Sequence, residues 1–213
     1  MAAVPDLLQR AIGLMGGVVT LPLVAVLALA VRLDSQGPAI FSAPRLGARG
    51  TPFRVHKLRT MVWQGPTSGS GVTVAADPRL TRLGRWLRRY RFDELPQLWN
   101  VARGEMRLVG PRPEDPRFVD FADPLHREVF TARPGLTGLA QLVFVDEANS
   151  IDPANPEGHY REAILPAKLR LDATYLRNRT MRLDLWILAQ TPRAILGRRV
   201  EPPAHLRGAG PDA

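Results

Sequence analysis

The stretch IGLMGGVVTLPLVAVLALAV, residues 12–31, carries no charge over twenty positions and is bracketed by Arg10 and Arg32. At 1.5 Å per residue it makes about 30 Å of helix, the thickness of a bilayer's hydrocarbon core. A cleaved secretory signal is the rival, since Ala28-Leu29-Ala30 resembles a cleavage site. The run is longer than the usual apolar region of about 7–15 residues, and Asp6 accompanies the lone leading Arg10, so a retained helix is expected. Pro22 falls mid-run, where it removes a backbone donor and clashes with the preceding turn, so a bend is predicted there. The bases that follow, Arg32, Arg45, Arg49, Arg54, Lys57 and Arg59, place residues 33 onward in the cytoplasm by the positive-inside rule. A spanning helix puts the N-terminus outside; re-entry at Pro22 keeps both ends cytoplasmic. The residues alone slightly favour spanning, because kinked spanning helices are ordinary.

The whole chain, 213 residues with 45% hydrophobic and 23% charged side chains, suits one modest domain or a domain with an appendage. That excludes a multidomain assembly and wholesale disorder. Twenty prolines and 18 glycines argue for short elements divided by fixed turns. With no cysteine, disulfides, thiolate metal sites and cysteine nucleophiles are excluded. The formal charge of +9 comes from arginine, because Lys57 and Lys168 are the only lysines. Arginine pairs bidentately with phosphate and tolerates a membrane surface. Composition alone allows nucleic acid, membrane or codon bias.

Residues 39–41 and 53–56 read as a small hairpin, and 64–76, QGPTSGSGVTVAA, as a mobile loop. Over 79–91, Leu80, Leu83, Trp86, Leu87 and Tyr90 recur at helical spacing among six arginines. Such a helix suits an anionic membrane interface, with nucleic-acid binding as the competing reading. Asp93 then stands where it can cap a helix from 94 to about 102, with Gly104 past its end. Two adjacent carboxylates, Asp93 and Glu94, lie between this cationic helix and Gly110-Pro111-Arg112-Pro113, a turn that holds an arginine between prolines. A carboxylate kept ionised at a helix start suits an attacking oxygen or a metal ligand. His56, His126, His159 and His205 show no ligand spacing, so zinc is not expected. Residues 199–213 read as a frayed tail.

HKLRTM (56–61), LRRYRFDELPQLWNVARGEMRLVGPRP (87–113), RPGLTGLAQL (133–142) and LDATYLRNRTMRLDLWIL (171–188) together resemble the bacterial sugar transferases, the monotopic phosphoglycosyl transferases. The likeness covers about residues 9–197 by motif order. It implies a monotopic enzyme that moves a sugar 1-phosphate from a UDP-sugar to polyprenyl phosphate and releases UMP. Asp93 would attack the β-phosphorus and form a covalent phosphosugar, while Glu94 would help hold Mg²⁺. Lys57, Arg59, Arg88 and Arg112 match family positions and are the expected phosphate-binding residues. Asp172 and Asp184 also match, with structural roles expected.

The resemblance further implies that the N-terminal helix breaks at Pro22 and re-enters the cytoplasmic leaflet of the bacterial inner membrane, which reverses the preference for spanning. The expected fold is therefore an α-rich α+β monotopic membrane protein with interfacial amphipathic helices and a small β-hairpin. Its parts would be a re-entrant helix region (1–32), a cytoplasmic-face catalytic domain (33–198) and a flexible tail (199–213). Expected partners are donor, lipid acceptor and membrane lipids, with no nucleic acid; a homodimer is left open. The alternative is a membrane-tethered basic scaffold or nucleic-acid binder without catalysis. Departures from the family pattern fall at Gly13, Leu21 (where a serine is usual), Ala43 and residues 142–146, so the sugar and the glycan pathway stay undetermined.

Overall fold

The computed structural model describes residues 4–65 and 71–209. One helix, α1 (Asp6–Asp34), continues through Pro22 without interruption of the helical element. Two residues before the proline, the Thr20 hydroxyl donates to the Gly16 carbonyl at 2.7 Å, a back-bond of the kind that bends helices. Thr20 thus supplies a local hydroxyl beside Leu21. Gln9, Gly13, Gly17, Leu27 and Val31 are buried, with Thr20 and Val24 half-buried between them. This stripe, spaced by threes and fours, faces the rest of the protein along most of the helix. Glycine is required at position 13, because a Cβ there would meet Val101 Cγ1 at 2.8 Å and the Ala102 nitrogen at 2.9 Å. The opposite face is apolar and uncovered: Val19 is 73% and Leu33 80% exposed.

Both ends of α1 are tied to the same body. At its start Asp6 pairs with Arg107 at 2.7 Å and with Arg133, and Gln9 accepts from the Leu108 amide at 2.9 Å. At its end Leu27 and Val31 pack with Leu58 and Leu87.

The body begins with the expected hairpin, β1 (Ile40–Leu46) and β2 (Pro52–Leu58), paired antiparallel with Phe41 opposite Lys57. Next come α2 (Arg82–Arg89), a 3₁₀ turn (Phe92–Gln97) and α3 (Leu98–Arg103), which packs on α1. Strand β3 (Arg107–Val109), helix α4 (Pro124–Val129) and strand β4 (Gly135–Thr137) follow. The two strands pair in parallel over three residues each, too short for sequence alternation to disclose. Helices α5 (Leu139–Val143), α6 (Glu147–Ser150) and α7 (Pro156–His159) lead to a π-helical turn (Tyr160–Ile164). Then α8 (Leu165–Arg177) and α9 (Met181–Ile195) complete the helical set. The main core gathers Val55, Val101, Met106, Val109, Leu139, Leu171, Tyr175 and Ile187.

Three expectations are revised. The helix expected over 79–91 is shorter, with Thr81 starting α2 by accepting from the Gly84 amide, and Leu87 is fully buried against α1. Part of the apolar stripe over 79–91 is therefore core, leaving Trp86 exposed in a cluster with Tyr90 and Phe92. The loop over 64–76 has its middle, 66–70, outside the described residues, but its end is docked: Val72 is buried and the Ala75 amide donates to the Ala148 carbonyl at 3.0 Å. Finally, residues Ala204–Ala209 of the expected tail form a 3₁₀ turn that buries Leu206 in the main core; 210–213 lie outside the described residues.

Candidate active site

Asp93 and Glu94 sit in the 3₁₀ turn Phe92–Gln97, not at the cap of an α-helix as the sequence suggested. Arg91 precedes the turn in the left-handed region, at φ 57°, ψ 19°. A non-glycine residue held there is sparsely populated and stays only where its surroundings enforce it, a feature of functional loops. The helix proper begins at Leu98 and closes at Gly104, whose φ of 79° fits the expected glycine stop. Freed from capping, the Asp93 carboxyl is 5% exposed, and its buried Oδ1 has no hydrogen-bond partner among the described residues.

Asp93, Glu94, Lys57, Arg88 and Arg112 all line one cavity of about 880 Å³. Lys57 reaches it from β2 and donates to Glu94 Oε1 at 2.8 Å; Arg91 Nη1 lies 3.5 Å from the same oxygen. Arg88, from α2, is oriented by donating to the Thr60 hydroxyl at 2.9 Å. Arg112 has its backbone amide bonded to Asp172 Oδ2 at 3.3 Å, which assigns Asp172 the structural part expected of it. Asp184 is likewise structural, since it accepts from the Tyr175 hydroxyl at 2.6 Å inside the core.

The two neighbouring carboxylates are driven apart. Burial alone would raise Glu94, but Lys57, Arg91 and Arg112 overcome it and hold the carboxyl well below the usual range. For Asp93, burial and then the Glu94 charge prevail over Lys57, Arg88 and Arg91, so its pKa is raised. One carboxylate thus has its anionic form favoured, and the other offers a buried, uncommitted oxygen amid cations.

Arg59 is not part of this cavity. Its five donors bond to the Pro38, Met61, Val31 and Ser35 carbonyls and to the Ser35 hydroxyl, at 2.5–3.3 Å. It closes the C-terminal end of α1 and has no donor left for a phosphate. Arg91 and Gln97 are among the cavity residues that the sequence does not single out. In the sequence Arg91 reads as part of the amphipathic stretch, although only one residue separates it from the dyad. Gln97, one turn beyond Asp93, is 3% exposed and its Nε2 lacks a partner among the described residues.

No group of three or more acidic or histidine side chains forms a metal cage among the described residues. The donor set still fits Mg²⁺, which binds through one or two carboxylates with substrate phosphates and water completing its shell. Glu94 is the ionised carboxylate at the cavity wall, and the orphaned Asp93 oxygen lies on its neighbour.

Among known proteins, a family model described as bacterial sugar transferase matches residues 2–198. A UDP-N-acetylgalactosamine-undecaprenyl-phosphate N-acetylgalactosaminephosphotransferase of Aeromonas hydrophila is 34% identical over 196 residues, 89% of this chain and 44% of that protein. An undecaprenyl-phosphate glucose phosphotransferase of Komagataeibacter xylinus is 47% identical over 128 residues, covering 57% of this chain and 24% of its own length. A UDP-glucose:undecaprenyl-phosphate glucose-1-phosphate transferase of Caulobacter vibrioides is 47% identical over 124 residues, with shares of 57% and 46%. The chain therefore spans less than half the length of these three relatives.

Proposed function

The chain belongs to the bacterial sugar transferase family, and from that premise we propose that it transfers a sugar 1-phosphate from a UDP-sugar to polyprenyl phosphate. The observation that carries this reading is the buried, unpartnered Asp93 Oδ1 inside a cavity walled by Lys57, Arg88, Arg91 and Arg112. Phosphoryl transfer depends on placing a nucleophile and on neutralising nonbridging oxygens, and this arrangement supplies both.

In the first step the Asp93 carboxylate attacks the β-phosphorus of the donor. A carboxylate–phosphorus bond forms as the bond from that phosphorus to the bridging oxygen breaks, and UMP leaves with its electron pair. In the second step an oxygen of the lipid phosphate attacks the same phosphorus and displaces Asp93. Lys57 and Arg112 orient the diphosphate, and Arg88 adds charge from α2. Glu94, with the donor's phosphates, would hold Mg²⁺, which supplies further neutralisation of the phosphate oxygens. The raised pKa of Asp93 sets the condition for attack, since the proton must be lost first.

The same reading places α1 in one leaflet at the cytoplasmic face of the inner membrane. Its support is the tying of both helix ends to one body, through Arg107 and Arg133 at Asp6 and through Arg59 at Val31 and Ser35. In this topology both helix ends stay on the cytoplasmic side. An Ala3→Cys variant should resist labelling from the periplasmic side in intact cells; labelling there would contradict this topology.

The activity is tested with purified protein, undecaprenyl phosphate and a panel of UDP-sugars. The expected result is UMP release with at least one donor, lost in Asp93→Asn. Retained turnover in that variant would remove Asp93 from the nucleophile's role.

A further inference from the structure

The proposed chemistry leaves one polar cluster of the cavity without a task. Lys168 Nζ donates to Glu147 Oε2 at 2.7 Å and to the Tyr160 hydroxyl at 3.0 Å. Tyr160 in turn donates to Glu114 Oε2 at 2.6 Å. All four residues line the cavity that holds Asp93. Lys168 is 2% and Tyr160 4% exposed, and Tyr160 opens the π-helical turn Tyr160–Ile164. Such turns are rare and concentrate at functional sites. A buried ammonium is costly even when paired, and apolar replacements of buried ion pairs are often neutral or stabilising. Packing alone is thus a weak reason for this cluster.

The only two lysines of the chain both line this cavity, each bonded to a glutamate: Lys57 to Glu94 and Lys168 to Glu147. The first pair stands at the reacting phosphorus in the proposed mechanism. In the second, Glu147 Oε2 is fixed by Lys168, while the side chain stays 27% exposed at the cavity wall. Further along the lining, both amide atoms of Gln141 are buried and unpartnered among the described residues, as is Gln97 Nε2. These groups call for a ligand that brings both donors and acceptors.

Charge narrows what Glu147 can meet. With no metal ion between them, a carboxylate repels phosphate, so Glu147 suits the neutral, hydroxylated parts of a nucleotide sugar. Resting on the transfer reading above, we propose that Glu147, held in place by Lys168, accepts hydrogen bonds from a vicinal diol of the donor. That chemistry belongs equally to the ribose and to the transferred sugar. Lys168 is a positioning residue, and Tyr160 with Glu114 fixes it from the other side.

The test measures equilibrium binding of UDP-glucose, UMP and inorganic pyrophosphate to the full chain in detergent. Wild type is compared with Glu147→Gln, Lys168→Met and the exposed control Glu157→Gln. Losing a charged acceptor for hydroxyls should weaken UDP-glucose binding about 10- to 100-fold. Pyrophosphate, which has no vicinal diol, should bind Glu147→Gln as it binds wild type. UMP weakened by the same factor assigns the diol to ribose; UMP unchanged assigns it to the sugar. Unaltered UDP-glucose binding in Glu147→Gln, or an equal loss for pyrophosphate, would overturn the proposal. Wild-type binding in Lys168→Met would remove the positioning role. Because binding is read without turnover, a wild type that binds UDP-glucose but releases no UMP counts against the transfer reading and not against this subsite. A wild type that binds none of the three probes contradicts both.

Discussion

Lys57 Nζ lies 2.8 Å from Glu94 Oε1, and this contact separates two carboxylates that are neighbours in the chain. Glu94 is held ionised by Lys57 together with Arg91 and Arg112, so its charge adds to burial in raising Asp93. The proposed nucleophile is thereby kept out of the ion pair and left with a free oxygen. Its cost is a proton that must be lost before attack.

UMP release should therefore fall as pH drops through the pKa of Asp93, which burial and the Glu94 charge raise from its ordinary value. In Lys57→Met both Asp93 and Glu94 lose a cation that lowers them, so the acid limb should move to higher pH. The plateau rate should also fall about 10²-fold, the scale for removing one preorganised charge from a transition state. A pH–rate profile of both proteins checks the shift and its sign.

Arg59→Met should lower stability and leave donor recognition intact. Arg59 bonds the carbonyls at the end of α1, and each buried carbonyl left without a partner costs about 1–3 kcal/mol. Thermal unfolding should show the loss, while the KM for the UDP-sugar in the folded protein stays near wild type. A raised KM at unchanged stability would return Arg59 to the phosphate site.

Gly84→Ala should loosen α2. A Cβ there would fall on the Thr60 carbonyl, which is backbone and cannot swing aside. Overpacking of this kind costs about 1–3 kcal/mol. Because Arg88 of α2 is bonded to the Thr60 hydroxyl, activity should fall along with the unfolding temperature.

Asp172 should make stability depend on pH. Burial pushes its carboxyl up to about 7, with the Arg112 amide pulling it the other way. The folded protein thus binds this proton more tightly than the unfolded chain does. Its contribution is full below the unfolded carboxylate pKa of about 4 and is lost as pH rises through about 7. Asp172→Asn cannot titrate, so the difference in stability between variant and wild type should change over that interval. A constant difference from pH 4 to pH 8 would contradict the buried, protonated state.

Much of this arrangement was legible in residue order because it depends on local chemistry. The apolar run 12–31, the hairpin around Lys57, the glycine stop at 104 and the dyad at Asp93 and Glu94 each have a short-range signature. What escaped depends on distant contacts. Arg59 resembles a phosphate ligand in the sequence, yet it closes a helix that ends more than twenty residues earlier. Leu87 reads as one face of an interfacial helix until α1 covers it. The parallel pairing of β3 with β4 joins segments over twenty residues apart, and Lys168 meets Glu147 only through the folding of α6 against α8. Loop closure at such separations leaves no periodic trace.

The most direct test of the central claim is intact-mass and peptide-level mass spectrometry of the protein after incubation with a UDP-sugar and Mg²⁺ in the absence of lipid acceptor. The account predicts an added sugar phosphate on the peptide carrying Asp93, formed with release of UMP, absent from Asp93→Asn and discharged when polyprenyl phosphate is added. UMP release that requires the acceptor from the outset, with no adduct at Asp93, would contradict it.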